Sequence, residues 1–314
     1  MLVSVLSVSG APGVTTLCLA LGTTWPRARH RGLPAHASGS DGRFPGSRSP
    51  DRPHAAGGPV AGPPALVVES DPAGGVLAAR FGLSDRRGWG GLCAEVRRND
   101  GAAVDEFVDV LPGGLPVLVG CRSGERGALR GPVRSRAFDV LVATARDRDV
   151  IVDLGRFDPE LEAGDRVLSR SDRVVVLVQP DVGALVRLCD RAGRLRSSAE
   201  DAVGIVLRGR GPYARGAIAR ASGLVVLGCV PDAPGAASAL AGERPPTGHL
   251  RRSRFLHAAA SLAEALAWDQ APPSARGDDS ADDSVDDHAG GATSGRNHDR
   301  GRAIVPMAGS GTVS

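Results

Sequence analysis

Seven apolar runs rich in valine punctuate the chain, at 2–8, 65–69, 116–119, 149–154, 173–179, 203–207 and 224–230. They are short and nearly continuous, which fits strands buried on both faces better than strands with one wet side. Between most of them, apolar residues recur at helical spacing: 14–25, 73–81, 134–147, 181–196 and 213–222, with a last helix over about 251–268. Strand alternating with helix predicts an α/β fold, a mostly parallel sheet with right-handed crossovers and helices on both faces. Ligands of such sheets bind at the carboxyl ends of the strands, so the loops that follow strands carry the candidate chemistry.

Two segments lack this periodicity. Residues 27–63 are dominated by Pro, Gly, Arg and Ser. They bury too little to repay their ordering entropy, so a disordered insertion is expected there. Residues 269–314 contain "DDSADDSVDDH" and further Gly and Ser, the composition of an acidic disordered tail. Residues 1–268 then form one domain.

Composition sharpens the picture in three ways. Apolar residues are 42% of the 314 and aromatics only 3%, so the core is built from Val, Leu and Ala, as suits a parallel sheet under Ala-rich helices. The Lys+Arg total of 38 contains no lysine at all, so arginine supplies every fixed positive side-chain charge. The net charge of +3 argues neither for nor against nucleic acid. The five cysteines form no C-x-x-C pair; reduced thiols in a cytoplasmic protein are expected, and zinc is not. The apolar N-terminus reads as a first strand and not as a leader, and no run approaches the roughly 18 apolar residues of a membrane span.

After the first strand comes Ser9-Gly10-Ala11-Pro12-Gly13-Val14-Thr15-Thr16 and then a helix. Glycines between strand and helix let backbone N–H groups converge on a phosphate at the positive helix end, and Thr15 stands where a hydroxyl would hold Mg²⁺. The plain alternative is a strand-to-helix turn. After the second strand, Asp71-Pro72 reads as an N-cap followed by Pro in the first turn. Glu69 and Asp71 also end a strand beside the first loop, where carboxylates order Mg²⁺ or a water. The fourth run ends in Asp153, the pattern of an aspartate that holds Mg²⁺ through water.

Taken in order, "SGAPGVTT", "ESDPAGG" and "VIVDLG" resemble the phosphate loop, the D-x-D-P-x-G segment and the Walker B strand of the MinD/ParA family of P-loop ATPases. "VVVLVQPDVGAL", "GIVLRGRGPY" and "VLGCVPDAPGAASAL" resemble that family's later strands, so the likeness spans about residues 1–268 without the insertion. The resemblance implies ATP/ADP with Mg²⁺ as ligand. It places Gly10, Ala11, Pro12, Gly13, Val14, Thr15 and Thr16 around the phosphates, and Arg208 where relatives read the base with asparagine. Thr15, Asp71 and Asp153 fall at the metal, and Asp71 and Asp153 at the catalytic positions.

The departures matter as much. Val14 replaces the P-loop lysine, and Ser9 replaces the signature lysine that crosses a dimer to the partner's nucleotide. Losing one charge-assisted hydrogen bond of roughly 1.5–3 kcal/mol weakens binding about ten- to a hundredfold, and hydrolysis more. Arg156 is a candidate to lend charge, though its planar fork is no ammonium. The expectation is a degenerate ATPase with weak or no hydrolysis, acting with a protein partner in intracellular positioning, partitioning or assembly, and without an ATP-driven dimer. An active ATPase switch and a nucleotide-independent scaffold are the alternatives.

Other chemistry fits less well. No histidine follows a strand of the sheet, which argues against Ser-His-Asp or Cys-His catalysis. The first loop lacks G-x-G-x-x-G spacing. Arg187, Arg191 and Arg194 share a helical face, read as a solvated surface, with weak non-specific DNA contact as the alternative. The stripe Phe255, Ala259, Leu262 and Leu266 beside "RRSR" reads as core packing, with a membrane-touching helix as the alternative.

Overall fold

The computed structural model describes residues 1–10, 13–26, 64–84, 86–99, 101–121, 132–157, 167–244 and 250–267. The expectations for 27–63 and 269–314 lie outside the described residues, as do Ala11 and Pro12.

Eight strands form one sheet: β1 (Leu2–Ser7), β2 (Leu66–Glu69), β3 (Asp109–Leu111), β4 (Leu115–Leu118), β5 (Val150–Arg156), β6 (Arg173–Val178), β7 (Val203–Arg208) and β8 (Val225–Val230). Their spatial order is β3-β4-β2-β5-β1-β6-β7-β8. Every pairing is parallel except the β3–β4 hairpin at one edge. The seven apolar runs thus all became strands. Short β3, exposed at Val110, had no comparable run to announce it.

Side-chain alternation divides the core into two layers. Leu2, Leu6, Val152, Val174 and Val176 face one side, against α3 (Gly88–Arg98), α4 (Pro132–Thr144), α5 (Val182–Ala199) and α6 (Arg215–Ser222). Val3, Val5, Ile151, Val175 and Leu177 face the other, against α1 (Val14–Thr24), α2 (Leu77–Phe81), α7 (Pro234–Leu240) and α8 (Arg254–Ala267). In α8 the stripe Phe255, Ala259, Leu262 and Leu266 is buried in that second layer, so it is core and not a free amphipathic face. Among the described residues, no helix is long and apolar enough to cross a membrane.

Two elements differ from the sequence reading. The helix expected over 73–81 begins only at Leu77. Gly74, at φ +112, and Gly75 delay it, because a turn that glycine alone adopts easily replaces its first residues. Helix α3 was not expected, since three glycines in "GWGG" and the residues after it mask its periodicity. It forms because Trp89, Leu92, Cys93 and Val96 bury on one side, with the Trp89 ring 4.9 Å from Phe138 of α4 and tilted 55° to it.

Candidate functional site

The register of the central strands sets the site. β5 lies between β1 and β2, which pairs Asp153 with Val5 on one side and with Glu69 on the other. The residues that leave β1 and β2 therefore lie beside Asp153 toward the carboxyl edge of the sheet.

The first loop turns on two glycines of positive φ, Gly10 at +47 and Gly13 at +94. A Cβ added at Gly10 would meet nothing within 4 Å, and one at Gly13 only Thr16, so the space above these glycines is open. Gly13 caps α1 with no side-chain cap, which leaves the first N–H groups of that helix available. A backbone cradle of this kind fits a phosphate. Val14 does not face that space. It is 5% exposed and belongs to the apolar layer with Val3, Val5 and Leu17, so only its backbone serves the loop. Thr15 and Thr16 are half-buried.

Thr15 Oγ1 donates to Asp153 Oδ2 at 2.5 Å. The amide of Gly155 donates to Asp153 Oδ1 at 2.9 Å. Asp153 is 1% exposed, and burial, helped by the charges of Glu69 and Asp71, pushes its carboxyl up to about 7 against the pull of those two hydrogen bonds. Beneath it, burial first and then Asp153 and Glu69 push the Cys18 thiol well above its ordinary value. A hydroxyl and a carboxylate side by side under a phosphate cradle are a donor set that suits Mg²⁺, which completes its shell with water and phosphate oxygens. No group of three or more His, Cys, Asp or Glu able to hold a metal occurs among the described residues.

Glu69 has a different task from the one expected of it. Its oxygens accept from the amides of Val76 at 2.7 Å, Leu77 at 3.2 and 3.3 Å, and Gly120 at 2.8 Å. It caps α2 and ties β2 to the loop after β4, so its lone pairs are committed to backbone and not to a metal. Burial raises its carboxyl pKa, and those amides oppose the rise. The same arrangement corrects the reading of Asp71-Pro72 as a helix start, since Glu69 supplies the cap.

Asp71 instead forms a tight turn, accepting from the Ala73 amide at 2.7 Å. Its carboxylate lies against Gly155, at φ +62, where an added Cβ would fall 2.1–2.4 Å from the carboxylate atoms. This close approach brings Asp71 onto the end of β5, two residues beyond Asp153. Burial raises its pKa, opposed by Ala73, Arg134 and exposed Arg156. Arg134 is the residue that sequence reasoning missed. It is 2% exposed, donates to Ser70 O at 3.2 Å and Ser70 Oγ at 3.4 Å, and lies 5.4 Å over the Phe138 ring. Burial lowers its pKa to about 10, opposed by Cys93 and Asp71. The signal was available: 134, 137, 138 and 141 form one apolar helical stripe, and an arginine stands on it.

Arg208 ends β7 and its Nε donates to Asp232 Oδ1 at 2.7 Å, in a half-exposed ion pair with the loop after β8. The basic face of α5 is not uniformly solvated. Arg187 is exposed, whereas Arg191 is half-buried and its Nη1 donates to the carbonyl of Val8, one residue before the glycine turn begins.

This sheet order, with a glycine turn after β1 and aspartates near the carboxyl ends of the neighbouring strands, defines a MinD/ParA-like α/β fold. Solved structures with that fold include a ParA family ATPase from Chlorobium tepidum TLS, at TM-score 0.58 and 17% identity, covering 84% of this chain and 98% of that one. The MinD cell division protein of Aquifex aeolicus aligns at TM-score 0.56 and 14% identity, covering 86% and 98%. The septum site-determining protein MinD of Pyrococcus horikoshii OT3, solved as a complex with Mg-ADP, aligns at 0.55 and 16%, covering 84% and 95%. No protein-family model and no curated protein matches the chain.

Proposed function

We propose that this chain is a nucleotide-binding MinD/ParA-type protein that has lost most or all of its ATP hydrolysis. In this reading it acts with a protein partner in intracellular positioning, partitioning or assembly. The carrying observation is the Thr15–Asp153 hydrogen bond beneath an open glycine turn. Glycines, a helix start, a hydroxyl and a carboxylate are the parts that hold a phosphate and its cation without any lysine. Thr15 and Asp153 would hold Mg²⁺, and the amides of the turn would hold the phosphates. The bound cation would supply charge neutralisation at the phosphate oxygens. Asp71, held against Gly155, would orient water at the rim. Hydrolysis is slow in this reading because phosphoryl transfer depends on fixed positive charge near the transferred group, and Val14 offers none.

Calorimetric titration of ADP and ATP with Mg²⁺, read together with phosphate release, tests it. Binding in the micromolar range or weaker with negligible release supports the proposal, and rapid turnover favours an active ATPase switch. A second reading, the nucleotide-independent scaffold, draws on the commitment of Val14 to the core. Absence of any nucleotide binding decides for it.

A further inference from the structure

A phosphate in a lysine-free loop needs its countercharge from elsewhere. Three arginines at the carboxyl edge already answer to carboxylates. Arg134 and Arg156 face Asp71, and Arg208 is paired with Asp232. Arg191 is different. It leaves α5 beside the stripe of Ala184, Leu188, Ala192 and Leu195 that packs on the sheet. Its guanidinium crosses to the end of β1 and donates to a neutral main-chain oxygen, that of Val8. It forms no ion pair with a described carboxylate. A partly desolvated cation whose bond among the described residues is to a peptide carbonyl is under-compensated there, and an anion nearby would complete it.

We propose that Arg191 is the countercharge of the phosphate loop. It holds the strand end from which the loop springs, and it fixes a permanent positive charge there, where neither Ser9 nor Val14 carries one. The ligand class is an inorganic or nucleoside polyphosphate with its divalent cation. The inference rests on the nucleotide-binding reading above, but it assigns the charge to a helix on the far side of β1 instead of to the loop. Arg191 acts as a positioning and charge-supplying residue and takes no part in bond making.

The two parts of this role separate by substitution. R191Q keeps an amide donor for the Val8 carbonyl and removes the charge. R191K keeps the charge on a flexible stem. Mg-ADP and Mg-pyrophosphate are titrated calorimetrically into the full chain and both variants, with thermal unfolding of each as the folding control. Affinity for both ligands should fall about tenfold in R191Q, the scale of one charge-assisted hydrogen bond, and stay within about threefold in R191K. Equal affinity of R191Q and the parent overturns the proposal. So does an equal loss in both variants, which would reduce Arg191 to a brace. If R191Q does not fold, R191K decides alone: a loss of about tenfold or more overturns the proposal, and retention supports it. If the parent binds neither ligand, the nucleotide-binding reading itself has failed, which is a distinct outcome from a parent that binds and an R191Q that binds as well.

Discussion

Asp153→Asn isolates the charge at the centre of the site. Asp153 is fully buried and its carboxyl is pushed up to about 7, from an ordinary 3.8. A folded-state pKa above the unfolded one means that the native protein binds the extra proton between those two values. Stability from this group is therefore present below the unfolded pKa and is lost as pH rises through about 7. Three units at about 1.4 kcal/mol each set a ceiling of about 4 kcal/mol, of which about 3 kcal/mol falls between pH 5 and pH 8. Asparagine cannot ionise and matches the protonated acid in shape. Its amide can donate to Thr15 Oγ1 and its oxygen can accept from the Gly155 amide, so the hydrogen bonds seen at the aspartate can be kept.

Urea unfolding of parent and variant at pH 5 and pH 8, without nucleotide, gives the double difference. Glu69 and Asp71 are coupled to Asp153 through its charge, so the double difference reports the Asp153 charge together with its coupling to those two acids. The expected result is a parent that loses about 1–3 kcal/mol more than D153N on going to pH 8, and a variant more stable than the parent there. A double difference within about 0.5 kcal/mol of zero, the usual limit of such comparisons, would refute the buried-charge argument.

Val14→Lys should lower stability by about 1–3 kcal/mol, because an ammonium stem replaces a core side chain, yet raise Mg-ADP affinity about tenfold. A folded variant with no gain in affinity would show that a side chain at this core-facing position does not reach the glycine turn. Gly155→Ala should cost about 1–3 kcal/mol, since its φ of +62 is strained and its Cβ would collide with the Asp71 carboxylate; an unchanged urea midpoint contradicts the close approach. Removing Mg²⁺ with EDTA should weaken ADP binding by about tenfold or more, because the carboxylates at the site then repel the phosphates unscreened. Metal-independent binding would point to a different site.

Most strands were legible in the sequence because they are buried on both faces, which leaves an unbroken apolar run that needs no partner to be recognised; edge strand β8 is only half-buried, yet its run VVLGCV is still unbroken. Edge strand β3 was not, because three half-wet residues in a hairpin carry no such signature. α3 escaped because its glycines lower helix propensity, and the stability comes from Trp89 and its neighbours packing on the sheet and α4. In the site, the glycine turn and the two aspartates could be named from local pattern. The Thr15–Asp153 contact spans 138 positions and follows from strand order, which no local pattern contains. Glu69 was misread for the same reason: a carboxylate at a strand end beside two aspartates looks like a metal ligand until three amides from elsewhere occupy it. Arg134 was readable, as a charge on an apolar stripe. Arg191 flanks the apolar stripe of α5, and only the distance to β1 reveals its partner.

The balance of charge around the loop explains how a phosphate site could survive without lysine. Asp153 is a buried acid whose carboxyl is pushed up to about 7, so part of its negative charge is withdrawn before any ligand arrives, and the Glu69 carboxylate is turned onto backbone amides. Arg134 and Arg156 oppose the charge of Asp71. In the proposed reading, an incoming phosphate meets the positive end of α1, the amides of a glycine turn and the Arg191 charge behind it. Such a site can bind an anion, since backbone dipoles are fixed and need no reorganisation. On the same reading it hydrolyses one poorly, since no mobile ammonium follows the charge that develops on the transferred group. Binding and catalysis place different demands on the same loop, and in the proposed reading the residues this chain retains meet the first.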